Sequence, residues 1–232
     1  MSSEGFPIVG LKDSPPSLKT LSDLTTRCRR MPENEQLCRQ VLKRLQFLHE
    51  SVAPLDVADP RKAKYCDVVV HFVKQLRRKP LLLRLASSES IVASIRELQL
   101  KLSDVAQGLG VAEQHEMLQW EQQWDSDRKE QLGKLDQLVS SASERMLVNE
   151  FRGDKKVQEA LMTLNSGINW KGQSPEMLEL KKATFSRVLQ HSNQEGLHIP
   201  DFTQRPTLDE VLTELTAFAE EEERQHPTAS LA

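Results

Sequence analysis

The feature that most constrains this chain is the spacing of its apolar residues. Leu37, Val41, Leu45, Leu48 and Val52 recur every three or four positions, with Cys38 and Leu42 widening the stripe. That spacing puts one apolar face on a 3.6-residue helix and fits no half-buried strand, whose apolar residues alternate. Two more stripes follow. One is Tyr65, Val69, Phe72, Val73 and Leu76. The other is Ile91, Ile95, Leu98, Leu102, Val105 and Leu109. No segment alternates for long, and aromatic residues make up only 5%, unlike a domain of strands. The expected fold is all-α: an antiparallel helical bundle of the four-helix type with additional C-terminal helices.

Punctuation divides the pattern. Residues 1–31, with Pro7, Pro15 and Pro16, read as a flexible lead-in with one or two helical turns near Leu18–Arg29. Residues 32–150 read as the bundle. Pro60 opens its second helix, which runs to about Lys79 and is broken by Pro80. Leu81–Leu83 is too short a run to assign. Ser87 or Ser88 caps a third helix, and Gly108 and Gly110 end it. Glu97 and Lys101 add a solvent-side pair to that helix. Between Ala112 and Val148 the pattern fits one long helix with a polar middle, or two helices meeting near Ser126. Gly153 marks a joint, and residues 151–200 read as a helical extension with Ser174-Pro175 opening its main helix. Residues 201–232 read as a helix launched by the capping box Thr207-x-x-Glu210, then a frayed end.

At 232 residues the chain can bury a core without disulfides. Its cysteines, Cys28, Cys38 and Cys66, are odd in number and form no Cys-x-x-Cys pair, so they read as reduced, buried thiols in a cytoplasmic protein. No apolar run approaches the ~20 residues of a membrane span, and the first residues lack the pattern of a secretory signal.

The residues also limit the chemistry. There is no glycine-rich phosphate loop, no His-Glu-x-x-His and no Gly-x-Ser-x-Gly. Six histidines are scattered along the chain. No catalytic residue, metal, cofactor or small-molecule substrate is expected.

Charge is split between the halves. Residues 1–110 hold 18 Lys and Arg against 12 Asp and Glu, a net of +6, and the remainder is net −9. That balance is too modest for nucleic acid. The densest basic cluster is Lys74, Arg77, Arg78, Lys79 and Arg84. Lys74, Arg77 and Arg78 fall at i, i+3 and i+4, away from the apolar stripe, with Lys79 and Arg84 around the turn at Pro80. One exposed cationic face is therefore expected, able to contact a protein partner or an anionic lipid surface, where each cation contributes about 1 kcal/mol. The acidic residues between Asp209 and Glu223 would oppose that contact. Trp120 and Trp124, one turn apart, read as core anchors.

Two stretches resemble a known family of bundles. Asn34-Glu-Gln-Leu-Cys38-Arg-Gln-Val41-Leu-Lys-Arg44-Leu45 resembles the first-helix signature of the N-terminal bundle of the mixed-lineage kinase domain-like pseudokinase, of fungal HeLo bundles and of Cbl-type adaptors. Arg96-Glu-Leu-Gln-Leu-Lys101-Leu102-Ser103-Asp104-Val105 is similar to the third helix of the same bundle. Leu81-Leu-Leu-Arg84-Leu-Ala-Ser87, followed by Gln119-Trp120-Glu-Gln-Gln-Trp124-Asp-Ser-Asp127-Arg128, resembles the N-terminal region of oomycete-type tyrosine-kinase-like kinases. Arg205-Pro206-Thr207-Leu208-Asp209-Glu210-Val211-Leu212 is similar to the last helix of a kinase C-lobe, although the nucleotide-handling motifs of a kinase are missing. The resemblance implies a non-catalytic signalling or adaptor module that binds a protein partner or itself, like a kinase regulatory bundle without its catalytic core. The pseudokinase bundle implies an alternative, peripheral binding to anionic membrane.

Overall fold

The computed structural model describes residues 17–111, 115–165 and 174–194. Among these residues the protein is all-α, with nine α-helices and no strand. They are α1 (Leu18–Cys28), α2 (Glu35–Val52), α3 (Pro60–Gln75), α4 (Leu81–Ala86) and α5 (Ser88–Gly108), then α6 (His115–Ser141), α7 (Glu144–Gly153), α8 (Lys155–Asn165) and α9 (Pro175–Gln194). A short 3-10 turn, Pro32–Asn34, joins α1 to α2. The expected helix after Thr207 lies outside the described residues.

Local chemistry fixes several helix ends. Asp59 caps α3 by accepting from the Arg61 amide at 2.8 Å, with Pro60 at the first helical position. The buried Lys62 closes the preceding helix, α2, by donating to the carbonyls of Ala53 at 3.3 Å and Leu55 at 2.6 Å. Gly110, at φ 74°, ends α5 in the left-handed region. The Val111 amide then reaches Ala106 O at 2.9 Å, and the Gly110 amide reaches Gln107 O at 3.0 Å. That pair of bonds is a Schellman closure and accounts for a glycine there. The segment left open in the sequence is one unbroken helix through Ser126, and the break comes later. Ser143 ends the ambiguity by capping α7, accepting from the Met146 amide at 3.3 Å.

Two apolar cores share the long helix α6. The first gathers α1, α2, α3 and α5, with Trp124 of α6 packed against it. The second gathers α4 and the C-terminal half of α6 with α7, α8 and α9. Its buried members include Leu82, Leu85, Leu135, Val139, Leu147, Val157, Phe185 and Val188.

This arrangement changes two expectations and assigns one segment left open. The helical turns expected near Leu18–Arg29 are present as α1, but the segment is packed rather than flexible, because Leu21, Leu24 and Cys28 are 0% exposed and Met31 is 1% exposed in the first core. The boundary at residue 150 divides no core, because Leu147 and Phe151 pack with α9 in the second one. Leu81–Leu83, left unassigned by the periodicity, begins helix α4, which belongs to that second core although it precedes α5 in the chain.

Candidate functional site

The cationic cluster is real but is not one helical face. Helix α3 stops at Gln75, so Lys74 is helical while Arg77 and Arg78 lie in the irregular link to α4. The stop has a packing cause. Leu76 is buried in the first core and Leu81 in the second, so the chain leaves the helical path to cross between them. Pro80 supports the turn by disfavouring a helical Lys79. The carboxylate of Glu150 on α7 then accepts from the Leu82 amide at 2.9 Å and closes the start of α4.

Lys74, Arg77 and Arg78 are exposed and form no ion pair within 4 Å among the described residues. Lys79 is half-buried. Burial, and to a smaller extent the charge of Lys156 on α8, hold its ammonium below the ordinary lysine value. Lys156 was not visible as a member of this cluster from sequence, because 77 positions separate it from Lys79 and only the α4–α8 packing unites them. Arg84 leaves the cluster. It turns inward and pairs with Glu33 at 2.6 Å, with the two side chains 12% and 1% exposed.

That pair begins a polar seam between the cores. Glu33 accepts from Asn34 Nδ2 at 2.8 Å, and Asn34 accepts from Gln131 Nε2 at 3.0 Å. Gln131 accepts from Arg128 at 2.5 Å, and Arg128 grips both carboxylate oxygens of Glu89 at 3.0 and 2.8 Å. Lys181 of α9 lies beside this group, donating to Ala86 O at 3.0 Å. Burial lowers its ammonium to about 8, against the favourable pull of Glu89 and with the added push of Arg128. Every residue of the seam except Lys181 belongs to the 3-10 turn or to α4, α5 or α6. The hydrogen bonds of this largely buried network hold residues from both sides of the seam in one geometry, although Arg84 Nε, itself buried, has no partner in it.

Another buried cation anchors the first core. Arg44 donates to Gln99 O at 2.7 Å, Gln99 Oε1 at 2.6 Å and Ser103 Oγ at 2.8 Å. It also lies over the Trp120 ring, 5.4 Å from its centroid. Trp120 is 4% exposed and meets Trp124 edge-on at 5.8 Å, so Trp120 is buried as expected of an anchor, whereas Trp124 is half-buried against the first core. Burial brings the Arg44 guanidinium down to about 10, leaving it charged at neutral pH.

Among the described residues, no three His, Cys, Asp or Glu side chains are grouped as a metal ion would need. No described helix is long and apolar enough to cross a membrane. No protein-family model matches the chain, and neither a curated protein nor a solved structure matches it.

Proposed function

We propose that this protein is a non-catalytic interaction module that docks an acidic segment of a protein partner at the α3–α4 corner. The carrying observation is the set of three exposed cations, Lys74, Arg77 and Arg78, with no ion partner among the described residues and with the Lys79–Lys156 pair beside them. Like charges held close on a folded surface repel one another, and an anionic partner relieves that repulsion. The resemblance of Asn34–Leu45 and Arg96–Val105 to signalling bundles supports the adaptor reading. It likewise supports a kinase-type regulatory bundle without its catalytic core.

The same cations favour one alternative, peripheral binding to anionic lipid. Three or four of them would contribute a few kcal/mol at about 1 kcal/mol each, enough for weak, salt-sensitive attachment. The protein reading is preferred because the corner offers nothing to insert. The large apolar side chains left exposed among the described residues, Val57, Leu100, Leu118 and Met146, lie on other segments.

The test measures anisotropy of a labelled oligo-glutamate peptide, and flotation with phosphatidylserine vesicles, for the full chain and a K74E/R77E/R78E variant. Peptide binding that weakens at least about tenfold in the variant and fades with salt is the expected result. Vesicle binding without peptide binding would replace the protein reading by the lipid one. Equal behaviour of the two proteins in both assays would make the corner ordinary solvated surface.

A further inference from the structure

Two carboxylates that flank the cationic corner are engaged elsewhere. Glu33 pairs with Arg84 at 2.6 Å, and Glu150 accepts from the Leu82 amide at 2.9 Å. Lys74, Arg77 and Arg78 stay exposed beside these closed contacts. The complementary charge is carried further along the same chain. Residues 209–223 hold Asp209, Glu210, Glu214, Glu220, Glu221, Glu222 and Glu223 with no Lys or Arg among them, a charge of −7 over fifteen positions. They lie outside the described residues, so the argument for where they sit comes from charge and reach.

We propose that the acidic residues 209–223 occupy the Lys74, Arg77 and Arg78 corner of their own molecule, so that an acidic partner docks there by displacing them. The mask rests on the reading of the corner as a docking site for acidic segments and adds the regulation of that site. Opposite charge on the two segments favours the contact, and the exposed pair Arg29 and Arg30 offers two cations where the corner offers three.

The chain is long enough. Lys181 of α9 donates to Ala86 O at 3.0 Å, at the end of α4, and the other end of α4 adjoins the corner. From Lys181, α9 runs thirteen residues to Gln194, ~20 Å at the helical rise. Followed through the Lys181–Ala86 contact and back along α4, the path from Gln194 to Arg78 is roughly 50 Å, and the straight line is shorter. The 26 residues from Gln194 to Glu220 can extend over ~85 Å. Tethering also makes a weak contact count. At an effective concentration on the order of 1 mM, a segment whose own dissociation constant is about 0.1 mM occupies the corner about ten times out of eleven.

The experiment has two arms, both on the full chain. In the first, a carbodiimide joins lysine amines to carboxylates in contact, in a mixture of light and nitrogen-15 chains, and peptide mapping locates the links. The expected link joins Lys74 or Lys79 to a carboxylate among residues 209–223 of the same chain. It should fall at least about fivefold in ~0.5 M salt, and equally in an R77E/R78E variant that keeps both lysines. In the second arm, a variant with Glu220, Glu221, Glu222 and Glu223 each changed to Gln should bind labelled oligo-glutamate about tenfold more tightly than the parent. The same four changes in the K74E/R77E/R78E background should alter binding by less than about twofold. No link to the corner, links that join different chains, or links to lysines elsewhere would each overturn the mask. A neutralised variant that binds the peptide no more tightly than a binding parent would overturn it too, and would leave the docking reading in place. The expected link without peptide binding by any variant would uphold the mask and remove the docking of an outside partner.

Discussion

Replacing Lys181 by methionine isolates the electrostatic cost of the seam. The residue is 1% exposed, and burial draws its ammonium from the ordinary 10.5 down to about 8. The unfolded chain therefore binds its proton more tightly than the folded one. Stability must rise with pH between about 8 and 10.5, and the penalty must be present in full below that window. At roughly 1.4 kcal/mol per pH unit, the penalty at neutral pH is about 3 kcal/mol. Methionine removes it but leaves the Ala86 carbonyl without the bond donated at 3.0 Å, a loss of about 1–2 kcal/mol. The variant should thus be more stable than the parent by about 1 kcal/mol at pH 7. That advantage should shrink by about 2–3 kcal/mol by pH 10, reversing its sign. Urea titrations of both proteins at pH 7, 8, 9 and 10 measure the difference directly, and other titrating groups cancel in the comparison. A difference that stays constant across this range would refute the reasoning and show that Lys181 meets its charge in a polar setting.

Two further substitutions test the packing. Glu33→Ala leaves Arg84 without the carboxylate it meets at 2.6 Å and should cost about 3 kcal/mol in a urea titration, whereas a loss below about 1 kcal/mol would mean the pair is effectively solvated. Leu21→Ala empties a position that is 0% exposed and should cost about 3 kcal/mol by the same assay, and unchanged stability would return α1 to the status of a loose lead-in.

Sequence alone determined the secondary structure class, the apolar faces of α2, α3 and α5, and the helix ends at Pro60, Gly110 and Ser174, because each depends on residues within about one turn of one another. The cap expected at Ser87 or Ser88 is not made, because Ser87 Oγ donates back to Leu83 O at 2.5 Å instead. The pairing of Trp120 with Trp124 was legible for the same reason: a separation of four residues puts two side chains on one helix face. The cationic cluster was legible as composition but not as geometry. Pro80 announced a break, yet only the burial of Leu76 in one core and Leu81 in the other decides that Arg77 and Arg78 leave the helix. Tertiary structure alone turned Arg84 inward to Glu33, brought Lys156 to Lys79, and joined Glu89 to Arg128 across the basic and acidic halves. These contacts lie between helices. The periodicity of a helix specifies which face is apolar, whereas the partner of each polar residue is chosen by how the faces stack, and a buried charge keeps only the partner that stacking supplies.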